Sequence, residues 1–158
     1  MIQARARSCF SSEFLVSHNG NSLGHFRGKW FSESIQIGLL ERRKLEFQKT
    51  SFWGSRFSLV DLATGTVLAT AQRQGFFRLK WQLNLSVGTV FLYRKLFASR
   101  ENAVEKDGAV IGKAVSNAWC SRGWDVSISE DIPLVDQLMI GLVHHVDHQR
   151  SQNSTNSS

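Results

Sequence analysis

The chain has 158 residues, 42% of them hydrophobic, enough for one sizeable core and too few for two comfortable domains. Eleven Phe and five Trp against one Pro suit half-buried pleated strands, where aromatic side chains pack on their cross-strand neighbours. Two cysteines, Cys9 and Cys120, lie in neither a CxxC nor a His-rich spacing, which excludes a disulfide framework and argues for reduced thiols. The opening residues hold Arg5 and Arg7 but no apolar run of leader length, so a cytoplasmic address is the expectation.

Three stretches repeat one pattern about 43 to 46 residues apart. The first reads Gly20-Asn21-Ser22-Leu23-Gly24, Trp30-Phe31, then Ile35, Ile37 and Leu39. The second reads Gly65-Thr66-Val67-Leu68-Ala69, Phe76-Phe77, then Trp81, Leu83 and Leu85. The third reads Gly108-Ala109-Val110-Ile111-Gly112, Trp119-Cys120, then Trp124, Val126 and Ile128. Turn glycines followed by alternating apolar triplets describe one β-meander used three times.

In chain order, the first unit predicts strands over Glu13 to Ser17, Ser22 to Arg27 and Ser34 to Leu40, with its opening strand assigned to the segment around Ser8 to Phe10. The second predicts Lys44 to Gln48, Arg56 to Asp61, Thr66 to Gln72 and Trp81 to Leu85. The third predicts Val90 to Lys95, Asn102 to Glu105, Ala109 to Val115 and Trp124 to Ile128, with Lys106-Asp107-Gly108 as its hairpin turn. Phe57, Trp81, Phe91 and Trp124 are assigned to the core. About twelve antiparallel strands must hide two sheet edges, and closure into a barrel does so completely.

A barrel of that size needs something in its middle, because about eight strands fill themselves and about sixteen leave a channel. The C-terminal segment supplies it. Asp131 suits an N-cap and Pro133 the first helical turn, and Leu134, Val135, Leu138, Met139, Ile140, Leu142, Val143 and Val146 place apolar groups around most of a helix. The fold class is therefore all-β with one C-terminal helix, a closed antiparallel barrel of three meander repeats, spanning 8–150 with a plug helix over about 131–148. Residues 151–158 read as a disordered polar tail. Leu134 to Val146 would reach about 20 Å, short of the roughly 30 Å of a bilayer's hydrocarbon, and Asp136 and Gln137 lie within it. No transmembrane span is expected.

The repeat layout, the aromatic turns Lys29-Trp30-Phe31-Ser32 and Phe52-Trp53-Gly54-Ser55-Arg56, and the helix start Asp131-Ile132-Pro133-Leu134 resemble the superfamily of tubby C-terminal domains, LURP-one-related proteins and phospholipid scramblases. The likeness covers about Ser12 to His148. It implies a twelve-stranded barrel around a hydrophobic helix and, by analogy alone, an association with lipid. No headgroup-binding motif of the superfamily matches residue by residue.

Catalytic and nucleotide-binding signatures are lacking, with no G-x-S-x-G elbow, P-loop or GxGxxG in a strand-to-helix context, so no enzymatic activity and no cofactor are expected. Charge is unevenly spread instead. Residues 42 to 100 carry eleven Lys or Arg against two acids, and residues 101 to 158 carry four against eight, an asymmetry that suggests an anionic partner for one face. The candidate anion or lipid site is Arg56, Arg73, Arg78, Lys80, Arg94 and Arg100 on a basic outer surface, with exposed aromatics wedging at a membrane interface. Strand alternation places Arg78 and Lys80 opposite Trp81, and Arg94 opposite Phe91 and Tyr93. Nucleic acid would be drawn by the same field. Outward charges that keep the barrel soluble are the structural alternative.

A second cluster, His144-His145-Val146-Asp147-His148, puts His144 and His148 one helical turn apart with a carboxylate nearby, a weak candidate for metal. The other reading is that this end of the helix simply leaves the barrel for water. The functional expectation is a non-enzymatic module binding anionic phospholipid peripherally, the alternatives being a protein-interaction or structural scaffold and, behind that, metal binding at the histidines.

Overall fold

A computed structural model describes residues 1–8, 12–27, 34–40, 42–53, 55–75, 80–94, 100–117, 123–129 and 131–155, with side chains described as far as 152. Cys9, Cys120, Arg78, Phe76, Phe77, Trp30, Phe31 and Trp119, all named above, lie outside the described residues. The first four strands are β1 (Ile2–Ala6), β2 (Glu13–His18), β3 (Asn21–Arg27) and β4 (Ser34–Leu39). The second unit supplies β5 (Lys44–Lys49), β6 (Arg56–Asp61), β7 (Val67–Gln74) and β8 (Lys80–Leu85). The third supplies β9 (Gly88–Arg94), β10 (Glu101–Lys106), β11 (Ala109–Ser116) and β12 (Trp124–Ile128). Every strand pairs antiparallel with its chain neighbours, and β1 closes the ring on β12 through Ile2↔Val126 and Ala4↔Trp124. Among the described strands no edge is left to pair with another chain.

The threefold repeat is visible in the backbone. Asn19-Gly20 and Asp107-Gly108 both take positive φ at two successive residues (50° and 83°, 51° and 79°), the geometry of a tight hairpin turn whose twist suits the flanking strands. Each unit carries one bulge at the equivalent pairing, beside Val16, Leu59 and Val104. Such bulges sharpen the local twist, which a sheet needs in order to curl into a ring. Gly24 and Gly112 occupy matching positions, where a Cβ would collide with the backbone of the next strand at Gly38 and Ser127.

Two boundaries differ from the sequence expectation. The opening strand is Ile2–Ala6 rather than the segment near Ser8, so the barrel begins earlier than residue 8. Polar Gln3 and Arg5 alternate with buried Ile2 and Ala4, a period too short to stand out until the ring partner on β12 is known. The helix α1 (Leu134–Thr155) starts after Pro133, whose carbonyl accepts the Gln137 N–H, and continues into the segment expected as a disordered tail.

This helix fills the lumen. Leu138 to Val143 are buried throughout, and Gly141 lies so close to the Trp124 indole that a Cβ there would overlap it. The walls contribute stacked aromatic pairs, Phe14 on Phe26 and Phe47 on Phe57, each with ring centroids 4.8 Å apart. Phe57, Trp81 and Trp124 are in this core as expected. Phe91 is not. On β9 the inward set is Val90, Leu92 and Arg94, while Phe91 and Tyr93 stand on the outer face, with the Lys80 ammonium 4.2 Å from the centre of the Phe91 ring.

No helix among the described residues is long and apolar enough to cross a membrane.

Candidate functional site: a basic mouth where the helix leaves the barrel

The topology sorts the connections between the two ends of the ring. Strands β2, β4, β6, β8, β10 and β12 end, and α1 begins, at one end of the ring; β1, β3, β5, β7, β9 and β11 end at the other. Because α1 enters from the first end, its C-terminal turns emerge at the second. The candidate anion-binding residues fall at that second end: Arg56 opens β6, Arg73 lies near the end of β7, Lys80 opens β8, Arg94 ends β9 and Arg100 precedes β10. Arg78 is outside the described residues.

These cations are gathered at one end of the barrel, but they do not share an outer face. Arg56 and Arg100 are exposed at the rim, and Lys80 points outward over Phe91 with Glu105 3.9 Å away. Arg73 and Arg94 correct the expectation of a wholly outer surface. Arg73 pairs in register with the buried Trp81, and directly opposed residues share a face, so its side chain is directed inward. Arg94 follows Val90 and Leu92 on the lumen side. The aromatic residues of β9 look like core residues in isolation, so alternation taken alone points the opposite way. The repeat gives the right sense, since Gln3 and Glu46 occupy the positions equivalent to Phe91.

Inside the mouth, Asp147 is the centre of a polar node. Its carboxylate accepts from the Trp81 indole N–H at 3.0 Å, from Arg94 Nη2 at 3.0 Å and from Asn102 Nδ2 at 3.3 Å. Three strands are thereby tied to one turn of α1. Both partners of the Arg94–Asp147 ion pair are substantially shielded, with side chains 16% and 3% exposed, so the charge-assisted bonds are little weakened by solvent.

One turn earlier, His144 Nε2 lies 2.9 Å from Ser116 Oγ. Burial pushes the imidazole down to about 3, helped by the nearby charges of His148, His145 and Arg94. It is therefore neutral at physiological pH. The rings of His144 and His148 stack at 6.2 Å, but no group of three His, Cys, Asp or Glu side chains among the described residues is placed to hold a metal. Asp147, the carboxylate of the weak metal candidate, is engaged by Trp81, Arg94 and Asn102. The expectation that this turn opens directly into water is also corrected, because His144 and Asp147 are both buried.

Arg150, which carries no motif in the sequence, completes the mouth. Its guanidinium carbon sits 5.5 Å from the Phe57 ring centre and 5.9 Å from that of Trp81, within cation–π range. Burial lowers its affinity for a proton, the like charge of Arg73 adds to this, and Asp147 opposes it. Two buried guanidine nitrogens, Arg73 Nε and Arg94 Nε, have no hydrogen-bond partner among the described residues.

At the rim around this mouth, the connection from β5 to β6 is held by Ser51, whose Oγ accepts the backbone N–H groups of Ser55 and Arg56 at 2.9 and 3.0 Å. Its tip presents Phe52 and Trp53 almost fully to solvent, 88% and 86% exposed, packed edge to face on each other. Comparison with family models, curated proteins and solved structures finds no match to this chain.

Proposed function

We propose that the protein is a non-enzymatic module that docks peripherally on anionic phospholipid through the end of the barrel where α1 emerges. The observation that carries this reading is the exposed Phe52-Trp53 pair, three residues before the exposed Arg56 and on the same rim as the exposed Arg100. Large apolar side chains held that far into water are costly to hydrate, and aromatic rings favour the headgroup level of a bilayer. Basic residues near an anionic leaflet each contribute about 1 kcal/mol of attraction. With the lumen occupied by α1, a working surface on the rim is favoured over an internal ligand chamber. The resemblance to the tubby-like and scramblase barrels belongs to the same reading. A twelve-stranded ring around a C-terminal helix supports it at the level of architecture.

Co-sedimentation with vesicles tests the proposal. Binding is expected to vesicles containing phosphatidylserine at low salt, to weaken as salt rises, and to fall by about tenfold or more in Phe52→Ser/Trp53→Ser, a loss of about 1.4 kcal/mol. Absence of binding at low salt, or indifference to anionic lipid content, would overturn it.

A further inference from the structure

The mouth holds more positive charge than it neutralises. Arg94 is paired with Asp147, whereas neither Arg73 nor Arg150 meets a carboxylate at ion-pair distance among the described residues. Arg150 lies over Phe57 and Trp81, and Arg73 shares the lumen face with Trp81, its cross-strand neighbour. Two like charges are thus held around one aromatic platform. The Nε of Arg73 is buried without an acceptor among the described residues. Both side chains remain partly exposed, so an incoming solute can reach them.

Orphaned guanidinium donors in a shielded place are expensive unless an acceptor arrives. What would satisfy this arrangement is set by its charge and shape. Two uncompensated cations match an oxyanion of charge close to −2, which a phosphate monoester carries near neutral pH. One arginine comes from the sheet and the other from the helix, so their planar forks approach from different elements. A tetrahedral group offers oxygens in several directions and can accept from both, whereas a planar carboxylate presents only two oxygens in one plane.

We infer that Arg73 and Arg150 form a binding site for a phosphate monoester dianion inside the barrel mouth, with the Phe57 and Trp81 rings holding Arg150 in position and the Arg94–Asp147 pair forming the neutral floor. The bound group screens the repulsion between the two arginines and supplies the missing acceptor. The inference rests on the rim reading for one source of the group, a phosphomonoester lipid headgroup presented at the membrane; the other source is free phosphate or a soluble phosphomonoester.

Two measurements separate the site from the rim. Calorimetric titration of the full chain with inorganic phosphate requires no membrane. Phosphate is expected to bind, with acetate binding at least about tenfold more weakly. Arg73→Gln and Arg150→Gln should each weaken phosphate by about tenfold or more, and the exposed charge control Lys113→Gln should leave it unchanged. Arg73→Lys keeps the charge and most of the stem but loses the fork, so a several-fold loss in that variant guards against a mere folding defect. No phosphate binding in the wild type, or the same affinity in Arg73→Gln and Arg150→Gln, overturns the site.

Vesicles carrying phosphatidic acid are then compared with vesicles of equal surface charge carrying phosphatidylserine. A preference for phosphatidic acid that both glutamine variants abolish assigns the lipid headgroup as source. Phosphate binding that both variants abolish, without any such preference, supports the site with a soluble ligand. Loss of all vesicle binding in the wild type would refute the rim reading and leave the calorimetric result standing by itself.

Discussion

Two carboxylates on the same helix, Asp136 and Asp147, are both almost completely buried and serve different purposes. They are eleven residues apart in the sequence, close to three full turns, and so share a face with a separation of about 16 Å along the axis. Their partners, Ser86 and Trp81, are five residues apart along and just beyond β8, also about 16 Å in extended chain. The helix is therefore pinned at two points along one strand. At the entry end, Asp136 accepts from Ser86 Oγ at 2.6 Å and from the Ser86 backbone N–H at 3.3 Å. Both donors are neutral, and the carboxylate also faces the positive end of the helix dipole. At the exit end, Asp147 is surrounded by Arg94 and, further out, by Arg73 and Arg150. The first carboxylate is a fastening. The second is a fastening inside a field of surplus positive charge, and that surplus distinguishes the mouth from the rest of the core.

The largest effect expected from breaking this pattern is at Asp147. In Asp147→Ala the Arg94 guanidinium stays shielded without its counter-ion, and removing one partner of a buried pair costs about 3–5 kcal/mol. Urea unfolding should show that loss in the transition midpoint. Replacing both members together, Arg94→Met with Asp147→Leu, should recover most of it, because the penalty comes from the unpaired charge. Equal destabilisation in the single and double variants would mean that Asp147 acts through Trp81 and Asn102 instead. At Asp136 the charge balance predicts less. Asp136→Ala loses bonds to a charged acceptor, about 2 kcal/mol, and Ser86 is exposed enough for water to take over its hydroxyl. If thermal or urea unfolding ranked Asp136→Ala above Asp147→Ala, the asymmetry between the two ends would be wrong.

Much of this architecture is legible in the amino-acid sequence. The turn glycines and apolar triplets locate eleven of the twelve strands, because hairpin geometry and alternation are local properties of the chain. The lumen helix is legible too, since apolar residues all round a helix leave it nowhere to go except inside. The first strand is harder to see because Ile2 and Ala4 are buried in a lumen completed by β12 and α1, both more than a hundred residues away. The face of Arg94 is obscured for a related reason. Val90 to Tyr93 is apolar on both sides of the strand, so alternation has no contrast to work with, and only alignment with Gln3 and Glu46 of the other units breaks the tie. Arg150 gives no periodic signal at all. Its place in the mouth comes from the exit of α1 over Phe57 and Trp81, a tertiary fact. The tendency of the basic residues to gather is readable from charge along the chain; that they gather at an end, partly inside, is not.

The boundary between dry lumen and charged mouth falls at His144, and its titration provides the finest test of the contrast. The imidazole is held at about 3 in the folded chain, below its ordinary 6.5, chiefly by burial and then by the positive charge of His148, His145 and Arg94. Between those two values the unfolded chain binds a proton that the folded chain refuses. The stability contributed by the neutral ring is thus complete above about pH 6.5 and is lost progressively as the pH falls toward about 3, by about 1.4 kcal/mol per pH unit. His144→Gln keeps a group able to bond Ser116 and removes the titration. Unfolding free energies of the two proteins, measured by urea titration at intervals from pH 7 to pH 4.5, should diverge in slope by about that amount, with wild type the steeper. Parallel curves would place a solvated, protonatable ring at this turn, and the dry boundary that separates the apolar lumen from the arginines would have to lie further out along α1.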